Sequence, residues 1–287
     1  MIIPKFDPKE VLDRIADRRA TQTLGVPTMI AALNDEQEKS PRDISSMRTI
    51  AHGGAPIPSD VILRAMSIFS GVELIHLYGT TETAPLATGW RYNKIVQDKN
   101  LLRSCGKALP GVKVCVLDKE GIELQLGNVG EIAISGANVM MGYWKKPSET
   151  KAVLRDEWYL SGDLGYADKD GYIYLVDRAK DMIITGGENV YSTEVEDVLS
   201  RHPAVLQSAV FGIPDSVWGE SVHATLQVNY EVEVRELIVF CRKFIAGYKI
   251  PKTFDLRHDP LPLSGPGKVL KRELKKPFWL NYAKNAR

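Results

Sequence analysis

Cysteine is scarce in this sequence of 287 residues, and its arrangement excludes two kinds of site. Cys105, Cys115 and Cys241 are odd in number and lack metal-ligand spacing, so neither a disulfide framework nor a cysteine metal site is indicated. A reducing compartment fits this pattern, and the cytoplasm is the expected location. Long apolar runs are also missing, and Met1–Pro4 does not begin a signal peptide, so we expect no transmembrane segment.

An excess of charge of either sign is absent as well. The 37 lysines and arginines nearly balance the 36 aspartates and glutamates, and a formal net charge of +1 gives no reason to expect a nucleic-acid partner. A mild basic cluster is interpreted as a solvated helix face, with a contact to phosphate as the alternative; it contains Lys271, Arg272, Lys275 and Lys276. A hydrophobic content of 44% is typical of a globular chain with one large or two modest domains. The composition does not indicate an oligomeric state.

Acidic groups, an arginine and paired glycines are concentrated between Ser161 and Asp197. Asp170–Gly171 is a tight-turn signal before the strand-like run Tyr172–Val176, so Asp163 and Arg178 are expected at the two ends of a hairpin. A carboxylate there can accept two hydrogen bonds from a vicinal diol such as ribose, while the guanidinium donates to the same sugar or to a phosphate. The alternative is a surface ion pair.

Gly186 and Gly187 lie in the same stretch and allow two interpretations. In the first interpretation they only form a turn, because glycine is the usual residue at positive φ. In the second, their backbone without side chains lets a ligand pass closely. Composition does not separate these two interpretations.

The first hundred residues have the pattern of an α/β fold. Asp7 before Pro8 predicts a helix N-terminus, and apolar residues at helical spacing follow it. The polar segment Asn34–Arg42 predicts a loop, and Ser59–Phe69 predicts a helix.

Two predicted strands in this part end in residues suited to a ligand. Met47–Ala51 leads to a turn containing Gly54 and Ala55, where backbone can approach a flat base. Val72–Leu77 leads to Tyr78–Glu82, whose hydroxyls and carboxylate suit an α-phosphate and its Mg²⁺. A turn with satisfied threonines is the alternative for the second segment.

From about Cys105 the pattern changes to short strands separated by glycine turns. The strands are expected at Val112–Leu117, Val129–Ser135 and Tyr172–Val176, which indicates a small antiparallel β subdomain. The aromatic residues of Met141–Trp144 and Trp158–Tyr159 are interpreted as core rather than as a binding face.

Beyond Arg178 a third pattern indicates a compact α+β unit. Its expected elements are a helix at Ser192–Arg201, strands at Val205–Ile213 and Ser221–Val228, a helix at Val234–Ala246 and a strand at Thr253–Leu256. The predicted fold class is therefore α/β, then a β subdomain, then α+β. The corresponding domains are residues 1–179, divided into 1–100 and 101–179, and residues 180–287, with the boundary near Lys180.

The order of these motifs resembles the acyl-adenylate-forming, or AMP-binding, enzyme superfamily, and in particular its acyl-CoA synthetase branch. The resemblance rests on YGTTE from Tyr78, SGDLGY from Ser161, DRAKDMIITGGENVYSTEVE from Asp177, PDSVWGE from Pro214 and PLSGPGKVLKREL from Pro262. It extends over essentially the whole chain. It implies the end of a large domain followed by a small, mobile C-terminal domain.

The resemblance also implies roles for individual residues. Gly54, Ala55 and Tyr78 would lie against adenine, Thr81 would touch the α-phosphate, Glu82 would hold Mg²⁺, and Asp163 and Arg178 would bind ribose. Lys268 would reach the carboxylate and α-phosphate during adenylation; taken alone, it would be a solvated loop lysine. Lys180 would be the hinge, Gly186 and Gly187 would line the pantetheine passage, and Trp218 and Tyr248 would contact the CoA nucleotide or pack between domains.

The implied reaction is ATP-dependent activation of a carboxylic (fatty) acid to acyl-AMP, followed by thioester formation with CoA. The family's glycine-rich loop for the β- and γ-phosphates has no counterpart here, so the chain is expected to be a C-terminal portion, impaired alone, with a missing N-terminal half as its partner. Two alternatives stay open. The acyl group is passed to a carrier-protein thiol, or the chain is a non-catalytic nucleotide-binding fragment.

Overall fold

The computed structural model describes residues 2–55, 57–92, 101–264 and 269–285, which fall into two units. One unit is Met1–Leu175 and the other is Val176–Arg287. The two units divide after Leu175, a few residues before Lys180, and the hinge at Lys180 stays a prediction. Within the described residues, no helix is both long enough and apolar enough to cross a membrane.

The first unit contains an α/β part and a β part. Its helices are α1 (Pro8–Arg18), α2 (Pro27–Lys39), α3 (Ser59–Ile68) and α4 (Pro147–Val153). Its strands are β1 (Gln22–Gly25), β2 (Thr49–Gly53), β3 (Glu73–Tyr78), β4 (Thr88–Tyr92), β5 (Lys107–Ala108), β6 (Val112–Leu117), β7 (Gly130–Gly136), β8 (Leu154–Arg155) and β9 (Trp158–Ala167). A further strand, β10 (Ile173–Arg178), continues into the second unit.

The α/β part is built on a sheet with the order β1-β2-β3-β4-β5. Strands β1, β2 and β3 are parallel, whereas β4 and β5 are antiparallel additions. Helix α1 begins as predicted, because the Asp7 side chain accepts the Glu10 N–H at 2.8 Å and Pro8 occupies the first turn. Its buried residues Leu12 and Ile15 pack with the other helices in one core.

The predicted loop at Asn34–Arg42 is wrong over residues 34–39, because α2 continues to Lys39. Asn34 is buried and donates a hydrogen bond to the Val61 carbonyl at 3.0 Å, and Gln37 donates to the Arg42 carbonyl at 2.9 Å. The amide nitrogens of both side chains find carbonyl acceptors inside the fold, so these polar residues do not end the helix.

The β part has the strand order β10-β9-β7-β6, with β8 paired to β9. The predicted turn before β10 is present: the Asp168 carboxylate accepts the N–H groups of Asp170 and Tyr172, both at 2.9 Å. Asp163 lies inside β9 rather than at the end of the hairpin, because β9 is ten residues long. Arg178 does end β10.

The interpretation of the aromatic residues as core is only partly right. Tyr159 belongs to a buried cluster of the β part. Met141 and Trp144 are exposed instead, and the hydroxyl of Tyr143 makes a polar contact. The loop that carries them leaves the sheet between β7 and α4.

The second unit is the predicted α+β fold. Its helices are α5 (Ser192–Ser200), α6 (Val234–Cys241) and α7 (Lys271–Asn285), and its strands are β11 (Ile183–Thr185), β12 (Glu188–Val190), β13 (Val205–Asp215), β14 (Gly219–Val228) and β15 (Thr253–Arg257). The strand order is β12-β11-β14-β13, and β15 pairs with β14 in parallel. Its core includes Leu199, Leu226 and Leu237, one from each of α5, β14 and α6.

Candidate active site

The carboxyl ends of the parallel strands β2 and β3 bring two of the predicted segments to one edge. Gly53 is paired with Leu77, so Gly54 and Ala55 leave the sheet beside Tyr78. A Cβ at Gly53 would lie 2.3 Å from the Leu77 carbonyl oxygen, so only glycine fits this close approach. Ligands of open α/β sheets bind at such an edge.

Tyr78 and Asp163 meet at this edge. Each is 7% exposed, and the Tyr78 hydroxyl donates to Asp163 Oδ2 at 2.9 Å. Burial, together with the Asp163 carboxylate, raises the pKa of Tyr78, so the phenol remains a donor. The Ser161 hydroxyl accepts the Asp163 N–H at 3.1 Å. Asp163 is therefore a buried, positioned acceptor and not a surface charge.

The segment after Tyr78 is a closed turn. Thr83 Oγ1 accepts the Thr80 N–H at 2.9 Å and donates to the Thr80 carbonyl at 3.1 Å. A Cβ at Gly79 would lie 2.0 Å from the Pro85 carbonyl oxygen, which is the physical reason for glycine there. Thr81, in the middle of this turn, is exposed.

Glu82 is held as a carboxylate by its surroundings. Burial opposes its ionisation, but hydrogen bonds led by that of Tyr143 outweigh burial and lower the pKa of Glu82. The Tyr143 hydroxyl donates to Glu82 Oε1 at 2.6 Å, and this bond raises the pKa of Tyr143. The Glu82 carbonyl also accepts the Met140 N–H at 2.8 Å.

This carboxylate fits Mg²⁺, which proteins usually bind through one or two carboxylates completed by water and substrate phosphates. The described residues contain no group of three or more acidic, histidine or cysteine side chains that would form an all-protein metal site. Glu82 is thus the residue of this edge that would hold the ion.

Asn138 and Tyr143 support this turn and were missed by sequence reasoning. The Asn138 amide donates to the carbonyls of Thr83 at 3.0 Å and Leu86 at 2.7 Å. A single asparagine in a loop carries no distinctive signal, and the sequence pattern around Tyr143 predicts a core aromatic. Both residues come from the loop after β7, more than fifty residues further along the chain.

A buried histidine pair lies behind the edge. The rings of His52 and His76 stack with centroids 4.6 Å apart, and His52 Nε2 is 3.2 Å from the Tyr92 hydroxyl. Burial, with a smaller contribution from His76, lowers the pKa of His52 to about 3. Burial also lowers the pKa of His76, so both rings are neutral near pH 7. They support β2 and β3 as packed, uncharged groups.

In the second unit, the structure brings Gly186, Gly187 and Trp218 together. The two glycines connect β11 to β12 with φ values of 60° and 85°. Gly186 donates its N–H to the Trp218 carbonyl at 2.9 Å, and a Cβ at Gly186 would lie 2.6 Å from the indole. Lys252 Nζ lies 5.1 Å from the centre of that ring.

Tyr248 lies elsewhere on the same unit, in a short helical turn at Gly247–Lys249. Its ring is about half exposed. The neighbouring Lys249 Nζ is 2.8 Å from both carboxylate oxygens of Glu194. The turn is thereby tied to α5.

A polar cluster fixes the beginning of the second unit. The Asp177 carboxylate accepts hydrogen bonds from the Ser192 N–H and, at 3.1 Å, from its hydroxyl, so it caps α5. Lys271 Nζ lies 2.7 Å from Ser192 Oγ and 2.7 Å from Glu196 Oε1. Asp177 also accepts the Arg178 N–H at 2.7 Å.

The interpretation of the basic cluster as a solvated helix face is therefore wrong for Lys271, whose side chain is only 18% exposed. Lys275 also has an acidic neighbour, with its Nζ 3.5 Å from Glu220 Oε1. Lys180 is exposed, as a hinge residue would be. Lys268 lies outside the described residues.

Comparisons with known proteins agree with this architecture. The model of the AMP-binding enzyme family matches residues 1–144, and the model of the AMP-binding enzyme C-terminal domain matches residues 194–268. A feruloyl-CoA synthase from an Amycolatopsis species is 40% identical over 279 residues, which are 95% of this chain and 55% of the relative. A long-chain-fatty-acid–CoA ligase of Bacillus subtilis is 38% identical over 277 residues, covering 96% of this chain and 48% of the relative.

Solved structures extend the similarity to three dimensions. The amide bond synthetase McbA from Marinactinospora thermotolerans has a TM-score of 0.87 at 32% identity, covering 96% of this chain and 56% of that one. The o-succinylbenzoate CoA synthetase MenE of Bacillus subtilis, solved with ATP and a magnesium ion, has a TM-score of 0.84 at 34% identity, covering 94% and 55%. The chain spans about half the length of the curated relatives it matches. With both of its units matched, this chain belongs to the AMP-binding enzyme family.

Proposed function

We propose that this chain is the C-terminal part of an acyl-CoA synthetase that activates a carboxylic acid, with fatty acids as the leading class, to acyl-AMP and then joins it to CoA. The observation that carries the proposal is the bond between Tyr78 and the buried Asp163 at the carboxyl edge of β2 and β3. Relatives named as CoA ligases for long-chain fatty acids support the reaction class.

The edge is suited to a nucleotide. Adenine would lie against Gly54, Ala55 and Tyr78, since the glycine backbone lets a flat base approach closely. The Asp163 carboxylate would accept hydrogen bonds from the ribose hydroxyls, and Arg178 would donate to the same sugar.

The turn after Tyr78 is suited to the phosphate. The exposed Thr81 hydroxyl would donate to the α-phosphate, and the ionised Glu82 would hold Mg²⁺. The ion, when bound, neutralises phosphate charge. Because Asn138 and Tyr143 already fix the turn, these groups need little rearrangement when the nucleotide binds.

The second unit would take part in both steps, adenylation and thioester formation. Lys268 would stabilise the negative charge that develops as the acyl oxygen attacks the α-phosphorus, and pyrophosphate leaves. After a rotation at Lys180, Gly186 and Gly187 would line the passage of the pantetheine arm, with Trp218 and Tyr248 as candidate contacts of the CoA nucleotide.

Two alternatives have specific support. A relative named as a fatty acid–[acyl-carrier-protein] ligase is 35% identical over 276 residues, which favours a carrier-protein thiol as acceptor. The chain covers 54% of that relative, and its sequence has no counterpart of the family's phosphate loop. If the chain acts alone, these two facts favour a non-catalytic nucleotide-binding fragment.

Two assays test the proposal. Calorimetry with AMP on the chain itself should show binding, and its absence would remove the nucleotide site. In a longer enzyme containing this sequence, acyl-AMP should transfer its acyl group to CoA, detected as the thioester by mass spectrometry. Faster transfer to an acyl carrier protein would favour the first alternative, and no transfer to either thiol would favour the second.

A further inference from the structure

The loop between β7 and α4 contacts Glu82 at two points. The Met140 N–H donates to the Glu82 carbonyl oxygen at 2.8 Å, and the Tyr143 hydroxyl donates to Glu82 Oε1 at 2.6 Å. The first bond holds the backbone of Glu82, and the second fixes the rotation of its carboxylate. Asn138 of the same loop donates instead to two backbone carbonyls of the turn. Tyr143 therefore acts on the side chain of Glu82, whereas Asn138 acts on the turn that carries it.

Tyr143 is itself held in place by its own loop. Its N–H donates to Thr150 Oγ1 at 2.9 Å, and Thr150 Oγ1 donates to the Lys146 carbonyl at 2.8 Å. Because Thr150 lies on α4, the loop is closed against a helix. A Cβ at Gly142 would lie 2.8 Å from Thr150 Cγ2, so glycine permits this close contact. The phenol thus reaches Glu82 from a fixed base.

The bond from the phenol makes the two carboxylate oxygens of Glu82 unequal. The 2.6 Å distance to Oε1 lies in the range of charge-assisted O–H···O bonds, about 2.5–2.7 Å. A cation that binds through one oxygen of this carboxylate leaves the bond intact. A cation that binds through both oxygens competes with the phenol for Oε1.

Mg²⁺ and Ca²⁺ differ in this respect. Mg²⁺ is small, requires near-ideal octahedral geometry and keeps several of its waters, so one well-oriented carboxylate oxygen suits it. Ca²⁺ accepts about six to eight oxygen ligands in a flexible geometry and takes carboxylates through one or both oxygens. A carboxylate whose Oε1 is held by a phenol is therefore better suited to Mg²⁺.

We propose that Tyr143 is a positioning residue that makes the cation site of Glu82 selective for Mg²⁺ over Ca²⁺. Its hydroxyl orients the carboxylate and does not itself bind the cation. This role rests on the proposed function, in which Glu82 holds the ion beside the α-phosphate of a bound nucleotide. Removing a hydrogen-bond partner of a metal-binding group typically lowers metal affinity by about 10–100-fold.

Calorimetry of AMP binding by the chain in EDTA, in Mg²⁺ and in Ca²⁺ separates the effect of the cation from that of the nucleotide. In the unmodified chain, Mg²⁺ should tighten AMP binding by about tenfold or more, and Ca²⁺ should tighten it less. Tyr143→Phe keeps the ring and removes the hydroxyl. Its AMP affinity in Mg²⁺ should fall by about tenfold, whereas its affinities in EDTA and in Ca²⁺ should stay close to those of the unmodified chain.

Two further variants serve as controls. Tyr174→Phe is the matched one, because the Tyr174 hydroxyl donates to Asp168 Oδ2 at 3.2 Å, a phenol–carboxylate bond elsewhere in the same unit. It should leave all three AMP affinities unchanged. Asn138→Ala removes support from the backbone of the turn, so it should weaken AMP binding alike in the three solutions.

Two results for Tyr143→Phe would overturn the proposal. Equal weakening of AMP binding in all three solutions would make Tyr143 a support of the turn, as Asn138 is, and an unchanged affinity in Mg²⁺ would mean that the bond to Glu82 does not affect the cation. If the unmodified chain binds AMP equally well in all three solutions, the nucleotide site stands and the cation roles of Glu82 and Tyr143 are wrong. If it binds no AMP in any of them, the nucleotide site of the proposed function is wrong, and the role of Tyr143 with it.

Discussion

The Asp163 carboxylate is buried and is held in place by a hydrogen bond from the Tyr78 hydroxyl. Removing its carboxylate in Asp163→Ala should weaken AMP binding by about 1.5–3 kcal/mol, the scale of charge-assisted hydrogen bonds to a diol. Tyr78→Phe is the matched control, because it removes the 2.9 Å bond but keeps the carboxylate and the ring. Calorimetry with AMP on folded variants measures both. If Asp163→Ala binds AMP as tightly as the unmodified chain, the carboxylate has no part in the nucleotide site.

His52 makes the stability of the first unit depend on pH. Its pKa is about 3 in the fold and about 6.5 in an unfolded chain, so between these values the unfolded state binds a proton that the native state excludes. The free energy of unfolding should therefore be highest above pH 6.5 and fall by about 1.4 kcal/mol per pH unit below it. His76 should add to the fall, since its pKa is lowered too.

His52→Phe keeps a ring against His76 and removes one titrating group. Its free energy of unfolding in urea should fall less steeply between pH 6.5 and 5, by about one proton. Equal slopes in the two proteins would show that His52 is protonated in the native state. The variant also loses the bond to Tyr92, so the slope is the informative quantity rather than the absolute stability.

Single residues were predictable where backbone chemistry decides. Asp7 caps α1 because its carboxylate stands immediately before a proline at the first helical position, and the Asp170–Gly171 turn before β10 was recognised from its glycine. Asn138 and Tyr143 were not predictable, because their partners in the turn after β3 are distant in sequence. Their importance exists only in the folded chain.

The same limit applies to whole elements. The polar residues after Leu33 resemble a loop by composition, yet α2 continues because Asn34 finds the Val61 carbonyl on α3. Helices α3 and α5 and strands β6 and β14 were identified to within about two residues, because the periodicity of apolar side chains is a local property. The expectation that the basic residues of α7 form a solvated face was wrong for Lys271, because its acidic partner, Glu196, lies on another element and is not recognisable from the local sequence.

Helix α7 is attached to α5 through Lys271 and Glu196, whose side chains are 18% and 20% exposed. Lys271→Met should lower the free energy of unfolding of the second unit by about 3 kcal/mol, because it leaves a largely buried carboxylate without its counter-charge. Urea unfolding measures the loss. Removing both partners in Lys271→Met with Glu196→Leu should recover most of it.

The loss in Lys271→Met should also depend on pH. Burial raises the pKa of Glu196, an effect that Lys271 opposes, so without the lysine the native carboxyl keeps its proton to higher pH than the unfolded one does. Stability of the variant should then fall as pH rises through that window, with a larger deficit at pH 8 than at pH 5. A deficit independent of pH would mean that Glu196 stays ionised without Lys271.

At the scale of the whole molecule, the chain divides close to the predicted hinge. The Arg178 carbonyl accepts the N–H groups of Asp181 at 2.9 Å and of Met182 at 3.0 Å. Lys180 therefore lies in a tight turn, and its side chain is exposed. Lys180→Pro would fix φ at this residue and restrict Ala179 before it. In a longer enzyme containing this sequence, the variant should keep one half-reaction and lose most of the other. Equal loss of adenylation and of thioester formation would argue against a hinge at Lys180.

Lys268 gives the sharpest test of the division of labour between the units. In the proposed function Lys268, which lies in the second unit by sequence, acts on a nucleotide held by Thr81, Glu82 and Asp163 of the first unit. Lys268→Ala in the longer enzyme should lower adenylation by roughly 10²-fold or more, the scale of removing an electrostatic stabiliser. Transfer from supplied acyl-AMP to CoA should survive, because the role proposed for Lys268 is confined to adenylation.

ATP–pyrophosphate exchange and thioester formation, measured separately, distinguish these outcomes. Lys268→Arg is the matched control, since it keeps the charge and alters only its geometry. This sequence has no counterpart of the phosphate loop, so the chain alone should show little exchange even with Lys268 intact. Robust exchange by these 287 residues would mean that the β- and γ-phosphates are held by groups within this chain, and equal loss of both steps in Lys268→Ala would remove the lysine's specific role in adenylation.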